Sequence, residues 1–169
     1  MTTIYTIGHS RHTAERFAAL LREQEIVRLV DVRSHPASRW APQFGKAALA
    51  QMLGTKAIEY VFLGRELGGR PDGAEFFGAD GVVDYERRAK SPDFRAGIER
   101  LVELARERAT TILCAEEDPG RCHRRLLVAP ALRRAGLTVV HIRGNGHLEP
   151  DDVAPPSSPQ LGLFQEKQR

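Results

Sequence analysis

Residues 110–124, TTILCAEEDPGRCHR, collect many of the side chains best suited to chemistry. Cys114 closes an apolar run, three carboxylates follow (Glu116, Glu117 and Asp118), and a Pro-Gly turn leads to Cys122-His123-Arg124. Crowding like charges raises at least one carboxyl pKa when the group is partly buried. Such a carboxylate can take a proton from water or stabilise a cationic transition state. Glu116, two residues past the apolar run, is the one expected to face a crevice, while its neighbours fit a solvated turn. Asp31 ends another apolar run in the same way and is a comparable base, with a cap or an ion pair to Arg33 as its alternative. Cys122 reads as a helix start, where the positive end of the helix and Arg121, His123 and Arg124 would lower a thiol pKa. It is therefore a candidate nucleophile with His123 beside it, against a packing role; Cys114 reads as packing. Zinc held by Cys114, Cys122 and His123 is conceivable, but the Cys-x7-Cys-His spacing matches no common zinc pattern and no fourth ligand is evident. No metal and no cofactor are expected, and a phosphatase-type Cys-x5-Arg loop is absent.

Around this stretch other residues read as substrate-binding. Arg33, Arg39, Arg65, Arg70 and Arg124 would form a cationic rim able to hold phosphates. His9, Ser10 and Ser34 are small polar groups for an anion or a water, and Trp40 and Tyr60 offer rings on which a base can stack. Gly68-Gly69 lies in a polar loop without the Gly-Lys-Ser/Thr of a phosphate-binding loop. His141, inside an apolar run, reads as a hydrogen-bonded structural histidine.

Positioning these groups falls to alternating elements. Strands are expected at 3–7, 27–32, 58–63, 110–115 and 138–143, and helices near 14–24, 46–53, 83–90, 92–108 and 122–135. Thr13 and Ser91 are the expected N-caps, Pro92 a first helical residue and Gly136 a C-terminal stop. Mostly apolar strands alternating with helices imply an α/β fold: a three-layer, doubly wound, mostly parallel sheet of about five strands. In such a sheet the loops leaving the strand ends share one crevice, which would gather nearly all the residues named above.

These residues also carry a resemblance. TIGHS near the start, LVDVR with a following Ser and Pro, LGG, FR-x-GI, C-x-E ahead of CHR and a closing HI are similar to the domain-of-unknown-function 488 family, over about residues 3–143. The resemblance implies an α/β fold and a site built from these motifs, and little about substrate.

The chain has 169 residues, enough for one domain with a real core. Two cysteines are too few for a disulfide framework, no leader segment is visible at the N-terminus, and no apolar run approaches the roughly 18–20 residues of a membrane span. A cytoplasmic, nucleoid-associated protein with no membrane partner is expected. Formal charge is +3; four acids against two bases from Glu149 on leave −2 there and +5 for residues 1–148, which permits a polyanionic partner. Residues 1–148 are the expected domain and 149–169 a Pro/Ser-rich tail. Near its end, Gln160, Leu161, Leu163 and Phe164 (QLGLF) resemble the peptide that binds the bacterial sliding clamp, the β subunit of DNA polymerase. A tethered extended segment suits that role, with a docked final element as the alternative. Together these features lead to the expectation of a clamp-recruited DNA-processing or repair enzyme. In its sharpest form it is a glycosylase hydrolysing a damaged or deaminated base. A small-molecule thiol or transferase enzyme, and a non-catalytic clamp-tethered nucleic-acid adaptor, are the alternatives.

Overall fold

The computed structural model describes residues 1–151. The five expected strands are present: β1 (Thr3–Gly8), β2 (Arg28–Asp31), β3 (Glu59–Phe62), β4 (Thr110–Cys114) and β5 (Thr138–Ile142). A sixth, β6 (Leu148–Pro150), joins the edge antiparallel to β5, giving the order β3-β2-β4-β1-β5-β6. All other pairings are parallel, with Gly8 level with Cys114 and Asp31 level with Leu113. Successive strand residues feed opposite cores, as alternation of side chains requires. Leu29 and Leu113 pack with Phe17, Leu20, Phe44 and Leu49, while Val30 and Ile112 pack with Phe94, Leu101, Leu127 and Leu132. This makes the three layers expected of an α/β domain.

Helices α1 (Ala14–Glu23) and α2 (Lys46–Gly54) cover one face; α3 (Gly64–Leu67), α5 (Pro92–Glu107) and α6 (Ala129–Arg134) cover the other. The Thr13 hydroxyl accepts from Arg16 N at 3.1 Å and the Ser91 hydroxyl from Phe94 N at 3.3 Å, so both caps act as expected. The expected stripe on α5, Phe94, Ile98, Leu101, Val102 and Ala105, is buried. Gly136, at φ +85°, ends α6 in the left-handed region that glycine adopts freely. Short helix α4 (Tyr85–Ala89) is tied to α3 by buried Arg88, which donates to the carbonyls of Arg65 and Glu66. No helix among the described residues is long and apolar enough to cross a membrane.

Two boundaries differ from expectation. The helix expected from 122 runs from His123 to Arg134, but its first part is a π turn (Arg124–Val128) that passes into α6, and a separate 3-10 turn (Pro119–Arg121) precedes it. Pro130 has no N–H to donate back into the helix, and the wider turn lies immediately before that gap. The domain also extends past residue 148: β6 pairs with β5, and Asp151 is buried against Arg125, Arg133 and His141. The peptide 160–164 lies outside the described residues.

Candidate active site

The chain leaves β1 and β2 toward the α1/α2 face, whereas β4, standing between them, leaves toward the α6 face. Divergence of neighbouring connections opens a crevice at the carboxyl end of the sheet. Backbone hydrogen bonds line it: His9 N donates to the Cys114 carbonyl at 3.0 Å and Ser10 N to the Ala115 carbonyl at 2.9 Å. Gly8 is required here, because a Cβ on it would fall 1.7 Å from the Glu116 carbonyl oxygen.

Two cavities open along this crevice. One, of about 300 Å³, is lined by Arg33, Ser34, Gly69, Arg70, Tyr85, Cys114, Glu116, Arg121, Cys122 and His123, with His35 and Ala115. The other, of about 400 Å³, is lined by His9, Ser10, Arg11, Ser38, Trp40, Ala41, Ala115, Glu116 and Glu117. Ala115 and Glu116 belong to both. A larger groove on the outer side of α5 and α6 is lined by Glu86, Lys90, Arg95 and Arg134 but by no cysteine or histidine.

At the floor of the first cavity lie Cys114, Cys122 and His123, only 6%, 3% and 8% exposed. His123 Nδ1 is 3.6 Å from Cys114 Sγ and 3.8 Å from Cys122 Sγ, and its Nε2 is 3.1 Å from the Val32 carbonyl. A carbonyl only accepts, so Nε2 carries a proton, and Nδ1 is the nitrogen that meets the sulfurs. The two thiols share one favourable charge: the S–H of Cys122 donates to Cys114 and lowers the Cys114 pKa despite burial. Cys122 moves the other way, pushed up by burial and then by Cys114. Cys122 stands at the helix start as expected: its carbonyl accepts from Leu126 N at 3.1 Å and its thiol from Arg124 N at 3.5 Å. The correction concerns its acidity, because burial and then Cys114 outweigh these donors and raise the thiol pKa.

The carboxylates separate. Glu116 is exposed on the wall common to both cavities. Glu117 turns to Arg143, accepting at 3.0 and 2.9 Å, and to Gly144 N at 3.0 Å; Arg143 holds its pKa down to about 2. Asp31 is fully buried and spent, with Oδ1 accepting from Arg33 N and Nε, and Oδ2 from Arg33 Nη2 and the Tyr60 hydroxyl, both at 2.7 Å. The ion-pair alternative therefore describes Asp31, and it is an anchor rather than a free base.

The cationic rim is smaller than expected. Arg124 is fully buried and donates to the carbonyls of Glu116 and Glu117, so it shapes the reactive loop and offers nothing to a phosphate. Arg33 is held by Asp31, and exposed Arg65 lines neither cavity. Exposed Arg70 does line the first, its N–H donating to Ser34 Oγ at 2.9 Å. Trp40 is 80% exposed with Arg39 5.2 Å over its ring, whereas Tyr60 packs into the α1/α2 core and gives up its stacking role. Burial and then the Asp31 hydrogen bond raise the Tyr60 pKa. His9 is buried, stacked on Phe44 at 4.7 Å, and burial lowers its pKa. Ser10 sits at φ +45° beside it. Gly68 and Gly69 serve close approach: a Cβ would fall 2.2 Å from Ser34 Oγ at the first and 2.8 Å from the His123 ring at the second. His141 is structural as expected, 2.7 Å from Thr6 Oγ1.

Cys114, expected as a packing residue with zinc ligation as a conceivable alternative, is buried and also lines the first cavity. Tyr85, whose pKa burial pushes up to about 12, also lines this cavity; it opens α4 inside the helix expected near 83–90, but nothing local ties that helix to the site.

A family model described as Domain of unknown function DUF488 matches residues 13–130. No curated protein and no solved structure matches the chain significantly.

Proposed function

The chain belongs to the DUF488 family, whose description assigns no reaction, and from that premise we propose that it is a hydrolytic DNA-processing enzyme. The observation that carries this reading is Glu116, an exposed carboxylate on the wall shared by two cavities at the strand ends. A carboxylate so placed can take a proton from water while a flipped-out base occupies one cavity. Trp40, exposed beside Arg39 at the second cavity, is a surface on which a base can stack. Cleavage of the glycosidic bond of a damaged or deaminated base is the sharpest form of the reading, and QLGLF at 160–164 supplies recruitment to the sliding clamp.

Incubating the protein with duplex and single-stranded oligonucleotides carrying uracil, hypoxanthine or alkylated bases tests it. The expected outcome is a released or altered base, lost in Glu116→Gln. No product from any substrate, together with no DNA binding at low salt, removes the reading.

A thiol enzyme is the second reading, favoured by two sulfurs in contact with one imidazole at a cavity floor. It expects a covalent substrate adduct on Cys114 or Cys122, detectable by mass spectrometry after rapid quenching. Turnover without any adduct ends it.

A further inference from the structure

We propose that Cys114, Cys122 and His123 form a three-ligand site for a zinc-type metal ion, with the fourth position open to the cavity that Glu116 lines. The ligand atoms already converge. Their two sulfurs and Nδ1 lie within 4.8 Å of one another, and Nδ1 is 3.6 and 3.8 Å from the sulfurs. With zinc–sulfur and zinc–nitrogen bonds of about 2.3 and about 2.0 Å, a tetrahedral angle separates the two donors by about 3.5 Å. The site therefore needs little rearrangement to close on an ion.

The surroundings suit a metal. His123 Nε2 donates to the Val32 carbonyl, which orients the ring and leaves Nδ1 free to ligate, the usual outer support of a ligating histidine. Gly69 leaves room for that ring where any side chain would strike it. The Arg124 backbone N–H donates to Cys122 Sγ at 3.5 Å, and such donors stabilise a coordinating thiolate. Sequence spacing argued against zinc because Cys-x7-Cys-His is not the spacing of a zinc finger. Here, however, one ligand comes from a strand end and two from the turn that folds back beside it.

Three protein ligands and an open position are the pattern of catalytic rather than structural zinc. Glu116, two residues beyond the ligand Cys114, lines the same cavity as the three ligands. In zinc deaminases a glutamate that is not a ligand shuttles protons at the metal-bound water. Here the ion would lower the pKa of its bound water to about 7. The water would pass one proton to the Glu116 carboxylate and remain as metal-bound hydroxide facing the cavity. This catalytic half rests on the hydrolytic reading above; the metal half does not.

The test uses the full chain, reduced and stripped of metal, titrated anaerobically with Co²⁺. The expected result is one Co²⁺ per chain with thiolate-to-cobalt charge-transfer bands and tetrahedral d–d bands, all displaced by Zn²⁺. Both cysteines should resist iodoacetamide in the zinc-loaded protein and react in the stripped one. Cys114→Ser, Cys122→Ser and His123→Asn should lose the bands, with circular dichroism reporting the fold, and Glu116→Gln should keep them. Absence of cobalt–thiolate bands in the wild-type chain overturns the proposal even if every variant misfolds. Bands that survive in folded Cys114→Ser and Cys122→Ser overturn it as well. Activity separates the two readings. Stoichiometric metal without product from any DNA substrate keeps the metal site and removes the hydrolytic function. Full-rate product from metal-free protein keeps the hydrolytic function and overturns the catalytic metal.

Discussion

Glu116 and Glu117 are adjacent in sequence and opposite in fate, because Arg143 reaches only one of them. Exposed Glu116 can accept a proton, so Glu116→Gln should lower turnover on a DNA substrate by about 10²–10⁴-fold while leaving the melting temperature unchanged. Glu117 works for stability. Its folded pKa lies at about 2, below the usual 4.5, so its contribution is complete above pH 4.5 and fades as pH falls toward 2. The pair is a third exposed, which limits that contribution to about 0.5–1 kcal/mol. The melting-temperature gap between wild type and Glu117→Gln should therefore be full at pH 6 and close on acidification. Asp31 is the larger stake. Asp31→Ala strands a buried Arg33 and should cost about 3–5 kcal/mol in denaturant unfolding.

At the scale of elements, β4 and the turn after it set the site. The strand lies between β1 and β2, and its exit is clasped on one side by the β1 loop and on the other by Arg124. Closeness of backbones leaves no room for side chains at the clasp. Gly8→Ala should destabilise the protein by at least about 1–3 kcal/mol, the usual penalty of overpacking, and disturb the Glu116 loop. Gly69→Ala, pressed on the His123 ring, should instead shift the ring and weaken cobalt binding more than it lowers the melting temperature. The strands and long helices were legible because periodicity, caps and apolar runs are local. The π turn and β6 were not: the first follows from a proline inside a helical pattern, and the second gains its stability only from pairing with β5.

For the whole molecule, the proposed function assigns separate tasks to the domain and to the QLGLF peptide. The described residues end at Asp151, whose carboxylate closes the network of Arg125, Arg133 and His141. Deleting residues 157–169 should abolish binding to the sliding clamp, measured by surface plasmon resonance, and leave thermal unfolding and any hydrolytic activity on short oligonucleotides unchanged. Unchanged clamp affinity would remove the recruitment idea.

The sequence by itself determined the α/β class, the order of the five parallel strands along the chain and the family, because apolar alternation, caps and motif order are written locally. It also picked out residues 110–124 as a stretch dense in side chains suited to chemistry. Only the tertiary structure decided what each side chain there does. Arg33 closes on Asp31 and buried Arg124 on two carbonyls, so two expected rim groups and one expected base become scaffolding, while Arg143 takes Glu117 out of the solvated turn expected for it. It also turned two cysteines and a histidine, whose spacing matched no known pattern, into a convergent cluster. Contacts between residues far apart in sequence depend on strand order and crossover face, which no local pattern encodes.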